Sequence, residues 1–363
     1  MRLKYSIVLS TLALALFGIL MIYSASSYSA LLHYKDAFFY VKKQALAFFA
    51  GCVMMVLGTK INLNYLKKYK YYILLGSILI LLLIYIPFLG KESYGARRWI
   101  DLGFISFQPS EFSKFGLVIF LAGYLADNPP LKVKQLLVPI LATLLIALPV
   151  FLEPNMSITI CIILSAICVM FVGGIPNKYF SAVLAAIGVG LPALIIAEPY
   201  RIRRLLAFAN PWATPKDEGY QLIQSYYALG AGGLFGVGLF NSRQKYLFLP
   251  FAESDFIFAV IGEELGLFGA LLVIIVFGIL IFGGILTALR SKDRYHTLLA
   301  ASITSLIAIQ VILNLAVVTG SVPPTGVPLP YVSAGGSSLM IFMFMSGILF
   351  SLADKVTKKM HLP

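Results

Sequence analysis

The sequence predicts an all-α polytopic membrane protein, and three observations carry that prediction. Sixty per cent of the 363 residues are hydrophobic and only 12% are charged, against about 25% charged in soluble domains. Apolar runs recur along the whole chain, at 7–23, 45–58, 72–89, 112–126, 136–152, 158–173, 179–197, 256–289, 298–318 and 339–352. The Lys and Arg residues gather between these runs rather than inside them. The expected architecture is about ten transmembrane helices, residues 1–363 forming one membrane domain, with a long extracellular loop at 198–254 between spans seven and eight. Several runs fall short of the roughly 20 residues needed to cross a bilayer, so their helices must extend into the flanking segments.

Orientation follows from basic residues in short loops. Fifteen of the 28 Lys and Arg residues fall on the side that holds both termini. Thirteen fall on the other, but six of these lie in the long loop, which the rule discounts. Both termini are therefore expected in the cytoplasm, and the short basic start Met1–Lys4 shows no cleavable signal. The net charge of +13 reads as cytoplasmic anchors and anionic lipid contacts, not nucleic-acid binding. Cys52, Cys161 and Cys168 lie in apolar runs and read as small core residues. The three histidines are scattered, with no metal-ligand spacing.

The outward basic residues need a reason. Lys42 and Lys43 precede span two, Lys91, Arg97, Arg98 and Lys114 surround loop three to four, and Arg201, Arg203, Arg204, Lys216, Arg243 and Lys245 lie in the long loop. Each alone fits interfacial snorkelling. As a set they fit an anionic ligand such as a phosphate or diphosphate at the outer face. In the long loop, 201–212 and 218–240 read as amphipathic segments on the membrane. The second ends in a glycine cluster (Gly230, Gly232, Gly233, Gly236, Gly238) without the Gly-Lys-Ser/Thr ending of a nucleotide loop, and plain flexibility explains it. The last outward segment carries Pro323, Pro324, Pro328 and Pro330, then Gly335-Gly336. Irregular backbone at membrane level lines protein or a wet cavity, so this loop is expected to wall the outer cavity.

Acidic residues are few, which makes each one informative. Asp255 stands where the run at 256–289 begins; it is either a helix N-cap or a general base for a hydroxyl. Glu111 and Lys114 share a helix face three residues apart. They form either a structural ion pair or a unit that orients Asp255 or contacts a phosphate. Glu263 and Glu264 lie eight and nine residues beyond Asp255, in a run of 34 residues, too long for one straight crossing of about 30 Å. Their depth stays open. Gln310 and Asn314 are the notable polar residues of span nine. Charge at the rim rather than at the midplane of several helices argues for surface chemistry over translocation.

Four motifs carry a resemblance. GARRWIDLGFISFQPSEFSK (95–114), NPW…GYQLIQSYYALGAGGLFGVGLFNSRQKYLFLP (210–250), DFIFAVIGEELGLFGA (255–270) and VVTGSVPPTGVPLPYVSAGGSSL (317–339) resemble the SEDS family (FtsW, RodA, SpoVE), and the NSRQK stretch is nearer its division and sporulation branch. The resemblance implies a peptidoglycan glycosyltransferase of the plasma membrane, at the division septum, polymerising lipid II onto an undecaprenyl-diphosphate-linked glycan. It implies a class B penicillin-binding protein and other division proteins as partners. It implies that Asp255 is the essential catalytic aspartate. Glu111 and Lys114 match the family's loop three to four pair, and Lys43-Gln44 matches its basic residue and Gln before span two. Lys43, Arg97, Arg98, Glu111, Lys114, Arg243 and Lys245 are the expected substrate-binding residues, with Mg²⁺ or Mn²⁺ as the candidate cation. The chain departs from the family pattern at Glu253-Ser254, at Asn155-Met156-Ser157 and at Ala334. A lipid II flippase and a non-catalytic scaffold for the penicillin-binding protein are the alternative functions.

Overall fold

The computed structural model describes residues 3–86, 90–93, 96–101, 106–129, 132–153, 155–196 and 199–360. Among the described residues thirteen α-helices follow one another: α1 (Leu3–Tyr34), α2 (Phe39–Lys60), α3 (Leu63–Lys68), α4 (Lys70–Leu82), α5 (Pro109–Asp127), α6 (Val133–Leu152), α7 (Met156–Val172), α8 (Asn177–Ile196), α9 (Pro199–Ala209), α10 (Tyr220–Gly232), α11 (Ile257–Arg290), α12 (Arg294–Val318) and α13 (Gly336–Met360). As expected, most helices extend beyond their apolar runs at one or both ends, although α4 ends at Leu82, before the run at 72–89 does. Local chemistry sets several starts: Asn62 caps α3, Asn155 caps α7, Asp293 caps α12, and Pro109 opens α5. Among the described residues six helices are long and apolar enough to cross a membrane: α1, α2, α6, α11, α12 and α13. Two shorter apolar helices, Lys70–Tyr85 and Met156–Val172, accompany them.

The segment before α5 departs from the all-α expectation. It forms a small antiparallel meander of β1 (Gly90–Ser93), β2 (Ala96–Asp101) and β3 (Ser106–Phe107), with Ile100 opposite Phe107. No alternating apolar pattern announces these strands.

α5 lies at the centre, its residues buried almost throughout from Pro109 to Leu125, between α4, α7, α12 and α13. α2 packs along α13, and α1 packs against α11 and α13. Lys4 Nζ meets Asp354 Oδ1 at 2.6 Å, which puts the start of α1 and the end of α13 at one end of the bundle. The far half of α1 carries Ser24, which donates to Glu264 Oε1, and Tyr28, whose ring meets Tyr246 with centroids 4.8 Å apart. α1 is 32 residues long, about 48 Å at 1.5 Å per residue. The Glu253–Asp255 segment therefore lies at the end of the bundle opposite the two chain ends.

α11 answers the length problem in its sequence. Gly266 breaks it, with φ 65° and ψ −166°, a conformation open essentially to glycine alone. The glycine cluster after α10 repairs the break. Val237 and Gly238 N–H donate to the carbonyls of Glu263 and Glu264 at 3.0 Å each, and Leu267 and Phe268 N–H donate to Gly233 and Leu234 carbonyls at 2.9 and 3.2 Å. A Cβ on Gly266 would lie 2.3 Å from Gly236 N. Gly232 and Gly236 serve close backbone approach, a Cβ on them lying 2.0 Å from Gly262 O and 2.1 Å from Glu264 O, which corrects the reading of plain flexibility for these two. The part of α11 after the break, 267–290, is about 36 Å long and suffices for one crossing.

Candidate active site

Asp255 sits just before α11, at the end of a loop strained into the left-handed region at three non-glycine residues, Phe240 (φ 65°), Leu247 (φ 69°) and Phe251 (φ 56°). Such strain persists only where the surroundings over-determine it. Glu263 and Glu264, 1% and 0% exposed, supply that determination. Arg243 N–H donates to Glu263 Oε1 at 2.9 Å, Ser242 N–H to Glu264 Oε1 at 3.1 Å, and Ser24 Oγ of α1 to the same oxygen at 2.5 Å. Ser242 Oγ also donates to Glu263. Lys245 Nζ lies 3.8 Å from Glu264 Oε1 and donates to the Phe240 carbonyl. The two glutamates thus gather the start of the strained loop by its backbone N–H groups.

The proline-rich loop between α12 and α13 forms the opposite wall. Asn314, fully buried in α12, donates from Nδ2 to the Asp255 carbonyl at 2.8 Å and to the Val327 carbonyl at 2.7 Å. Ser333 Oγ donates to the Ser254 carbonyl at 2.6 Å, and Ala334 N–H donates to the Glu253 carbonyl at 2.9 Å. Gln44 of α2, 2% exposed, closes the same corner: its Nε2 donates to the Ser333 carbonyl at 3.3 Å and its Oε1 accepts from Gly335 N–H at 3.1 Å. Gly326 faces the carboxylate closely enough that a Cβ there would lie 2.8 Å from Asp255 Oδ2.

Burial pushes the Asp255 carboxyl up to about 7; Arg98 pulls it down, and Glu253 pushes it up further. Desolvation disfavours the anion, and the net result is a carboxyl that changes charge near neutral pH. Burial also raises Glu253, against its own backbone N–H and His33. Arg98 is carried by β2, and its Nε donates to the Glu153 carbonyl at 3.2 Å, between α6 and α7.

The remaining expected residues divide. Lys114 is 2% exposed; its Nζ donates to Glu111 Oε1 at 2.8 Å and to Gln310 Oε1 at 2.6 Å. Glu111, 1% exposed, also accepts from Ser338 Oγ at 3.0 Å, and Gln310 Nε2 donates to the Pro328 carbonyl at 3.0 Å. The pair therefore runs as a buried chain from α13 through α5 to the proline-rich loop. The two thus take the form of a buried ion pair that holds a wall of the Asp255 recess. Lys245 is likewise buried on internal partners. Arg243 is exposed, its backbone held by Glu263. Lys43 is exposed and stands over the Phe39 ring at 4.3 Å. Arg97 belongs to β2, but its side chain lies outside the described residues. Gln44, Asn314, Gly326 and Ser333 complete the frame. Of these, Asn314 carries a signal as a polar residue in an apolar run, as Gln310 does, and Gln44 through the Lys43-Gln44 match.

A buried carboxyl raised toward neutrality at one end of a bundle of apolar helices defines a class: an integral membrane protein with a titratable group at one end of its bundle. The chain belongs to the FtsW/RodA/SpoVE family of cell cycle proteins, whose model matches residues 5–358. It is 38% identical over 353 residues to stage V sporulation protein E of Bacillus subtilis, covering 96% of both chains. It is 37% identical over 359 residues to the probable peptidoglycan glycosyltransferase FtsW of Geobacter metallireducens, covering 97% of this chain and 96% of that one. Among solved structures it resembles one chain of a peptidoglycan synthase complex that coordinates polymerization and crosslinking, at a TM-score of 0.81, 26% identity, and coverage of 97% and 98%. It also resembles the rod shape determining protein RodA of Thermus thermophilus, at a TM-score of 0.71, 25% identity, and coverage of 97% and 96%.

Proposed function

We propose that this protein is a peptidoglycan glycosyltransferase that polymerises lipid II at the outer face of the plasma membrane, with Asp255 as general base. One observation carries the reading: a carboxyl raised to about 7 and framed by Arg98, Gly326 and Asn314, in a chain whose FtsW relatives are probable glycosyltransferases. Asp255 accepts the proton of the sugar 4-hydroxyl of the incoming lipid II. That oxygen bonds to the anomeric carbon of the lipid-linked strand, and the bond from that carbon to undecaprenyl diphosphate breaks. The diphosphate leaves as an anion, so a protonated acid is not needed at the leaving group, unlike hydrolysis of a sugar–sugar bond. Arg98 and exposed cations such as Lys43 and Arg243 balance its charge.

Among the described residues no group of three or more His, Cys, Asp or Glu side chains gathers to cage an ion. Mg²⁺ or Mn²⁺, if used, fits as an ion carried on the diphosphate, which needs only one or two protein carboxylates. Ten crossings with both termini cytoplasmic put the Asp255 end outside, and a class B penicillin-binding protein at the septum fits the peptidoglycan synthase complex that the fold resembles.

The test is purified protein with its penicillin-binding partner and fluorescent lipid II. Glycan polymer that disappears with Asp255→Asn supports the reading. Lipid scrambling in liposomes without polymer would establish a flippase instead, and neither activity would leave a scaffold.

A further inference from the structure

At the end of the bundle opposite Asp255, where the Lys4–Asp354 pair joins α1 to α13, three segments leave a cavity of about 360 Å³ between them. Arg290 closes α11 beside it, Lys292 lies in the link to α12, and Lys355 and Lys358 come from the last turns of α13. All four cations are exposed, while Leu352 and Val356 of α13 add a buried apolar wall. The acidic groups nearby are already engaged. Asp354 pairs with Lys4 at 2.6 Å and with Lys358 at 2.8 Å, and Asp293 caps α12 by accepting from His296 N–H at 2.9 Å. Among the described residues Arg290, Lys292 and Lys355 have no ion pair. Like charges gathered around one cavity repel one another. Interfacial snorkelling gives no reason for separate segments to converge on it.

We infer that this cavity is a binding site for the headgroup of an anionic phospholipid, whose phosphodiester supplies the counter-charge that Arg290, Lys292 and Lys355 lack. Basic pockets between membrane helices bind such headgroups, and the cavity's volume falls in the range of small-ligand sites. The neighbouring surface favours a lipid over a free anion. Leu272, Ile275, Ile279, Phe282 and Leu289 of α11 are all exposed, and their spacing puts them on one helix face. That face runs for about 26 Å at 1.5 Å per residue and ends one residue before Arg290. A phosphate held in the cavity therefore has an apolar track beside it for its acyl chains. The site lies away from Asp255 and does not rest on the glycosyltransferase reading.

The experiment is native mass spectrometry of the full chain, delipidated in detergent and titrated with dioleoyl phosphatidylglycerol or dioleoyl phosphatidylcholine. Wild-type protein should bind the anionic lipid more than about tenfold tighter. Each cation near the headgroup is worth about fivefold, so Arg290→Gln, Lys292→Gln and Lys355→Gln together should weaken phosphatidylglycerol binding about a hundredfold. Binding of phosphatidylcholine should not change. Lys60→Gln, Lys68→Gln and Lys132→Gln together remove the same charge from exposed positions outside the cavity and should change little. Equal affinity for the two lipids, or an equal loss in both triple variants, overturns the inference. Inorganic phosphate at the lipid's concentration should leave the complex intact; displacement overturns the lipid assignment and gives the site to a free phosphate. Lys292→Gln with Lys355→Gln, expected to cost about 25-fold, replaces the cavity variant where the triple substitution does not fold.

Discussion

Lys114 separates a structural reading of the central ion pair from a ligand-binding one. The ammonium is 2% exposed and 2.8 Å from Glu111 Oε1, itself 1% exposed. Lys114→Met strands the Glu111 carboxylate with Ser338 as its remaining donor and no cation. Breaking a buried pair in this way costs about 3–5 kcal/mol. With an unfolding entropy of about 2.1 cal/mol/K per residue, the chain would lose roughly 4–7 °C of Tm. Glu111→Gln with Lys114→Met removes both charges and should recover most of that loss, because an intact buried pair contributes little over a neutral replacement. Gln310 keeps its bond to the Pro328 carbonyl in the double variant, so the loop stays anchored. The assay is thermal denaturation in detergent, paired with polymerisation per folded molecule. The double variant is expected within about tenfold of the wild-type rate. A double variant as stable as wild type but more than about a hundredfold slower would refute the reasoning, because it would place the ammonium on the substrate.

Three further outcomes follow from the geometry. Asp255 works as a base only when ionised, so polymerisation should rise with pH through about 7, and Asp255→Asn should lower it about 10²–10⁴-fold; a rate independent of pH from 6 to 8 would contradict the assignment. Gly326→Ala places a methyl 2.8 Å from Asp255 Oδ2 and should cut kcat about 10–100-fold with little change in Tm; an unchanged kcat would show that the carboxylate works elsewhere. Gly266→Ala meets a positive φ and a Cβ 2.3 Å from Gly236 N, so it should cost more than about 1–3 kcal/mol, read as a lowered Tm; an unaltered Tm would mean that α11 is not broken there.

Much of this architecture was legible in the sequence because lipid imposes a simple code. Apolar runs became helices, the basic amphipathic stretch became α9, and Asp255 fell at the end opposite the chain termini. What was not legible depends on direction. Lys114 and Lys245 read like Arg98: basic residues near an expected interface, with nothing in the string to say which way each points. The fold turns the two lysines inward onto Glu111 and Glu264. The glycines after α10 looked loose because their partners, the carbonyls of Glu263 and Glu264, lie some 25–30 residues away.

Three dimensions sort these acidic residues by a criterion that composition lacks, namely whether the protein itself satisfies them. Glu111 and Glu263 each accept hydrogen bonds from two or more groups, and Glu264 accepts two on Oε1, from Ser24 and Ser242, while its Oε2 is buried without a hydrogen-bond partner. Such groups are spent on structure, and a ligand would have to break existing bonds to reach them. Asp255 differs, because burial raises its carboxyl toward neutrality while Arg98 acts to lower it. Carrying a carboxyl in that condition costs desolvation without full compensation, so stability does not account for it. It is the acidic group on which the acid–base chemistry proposed above rests.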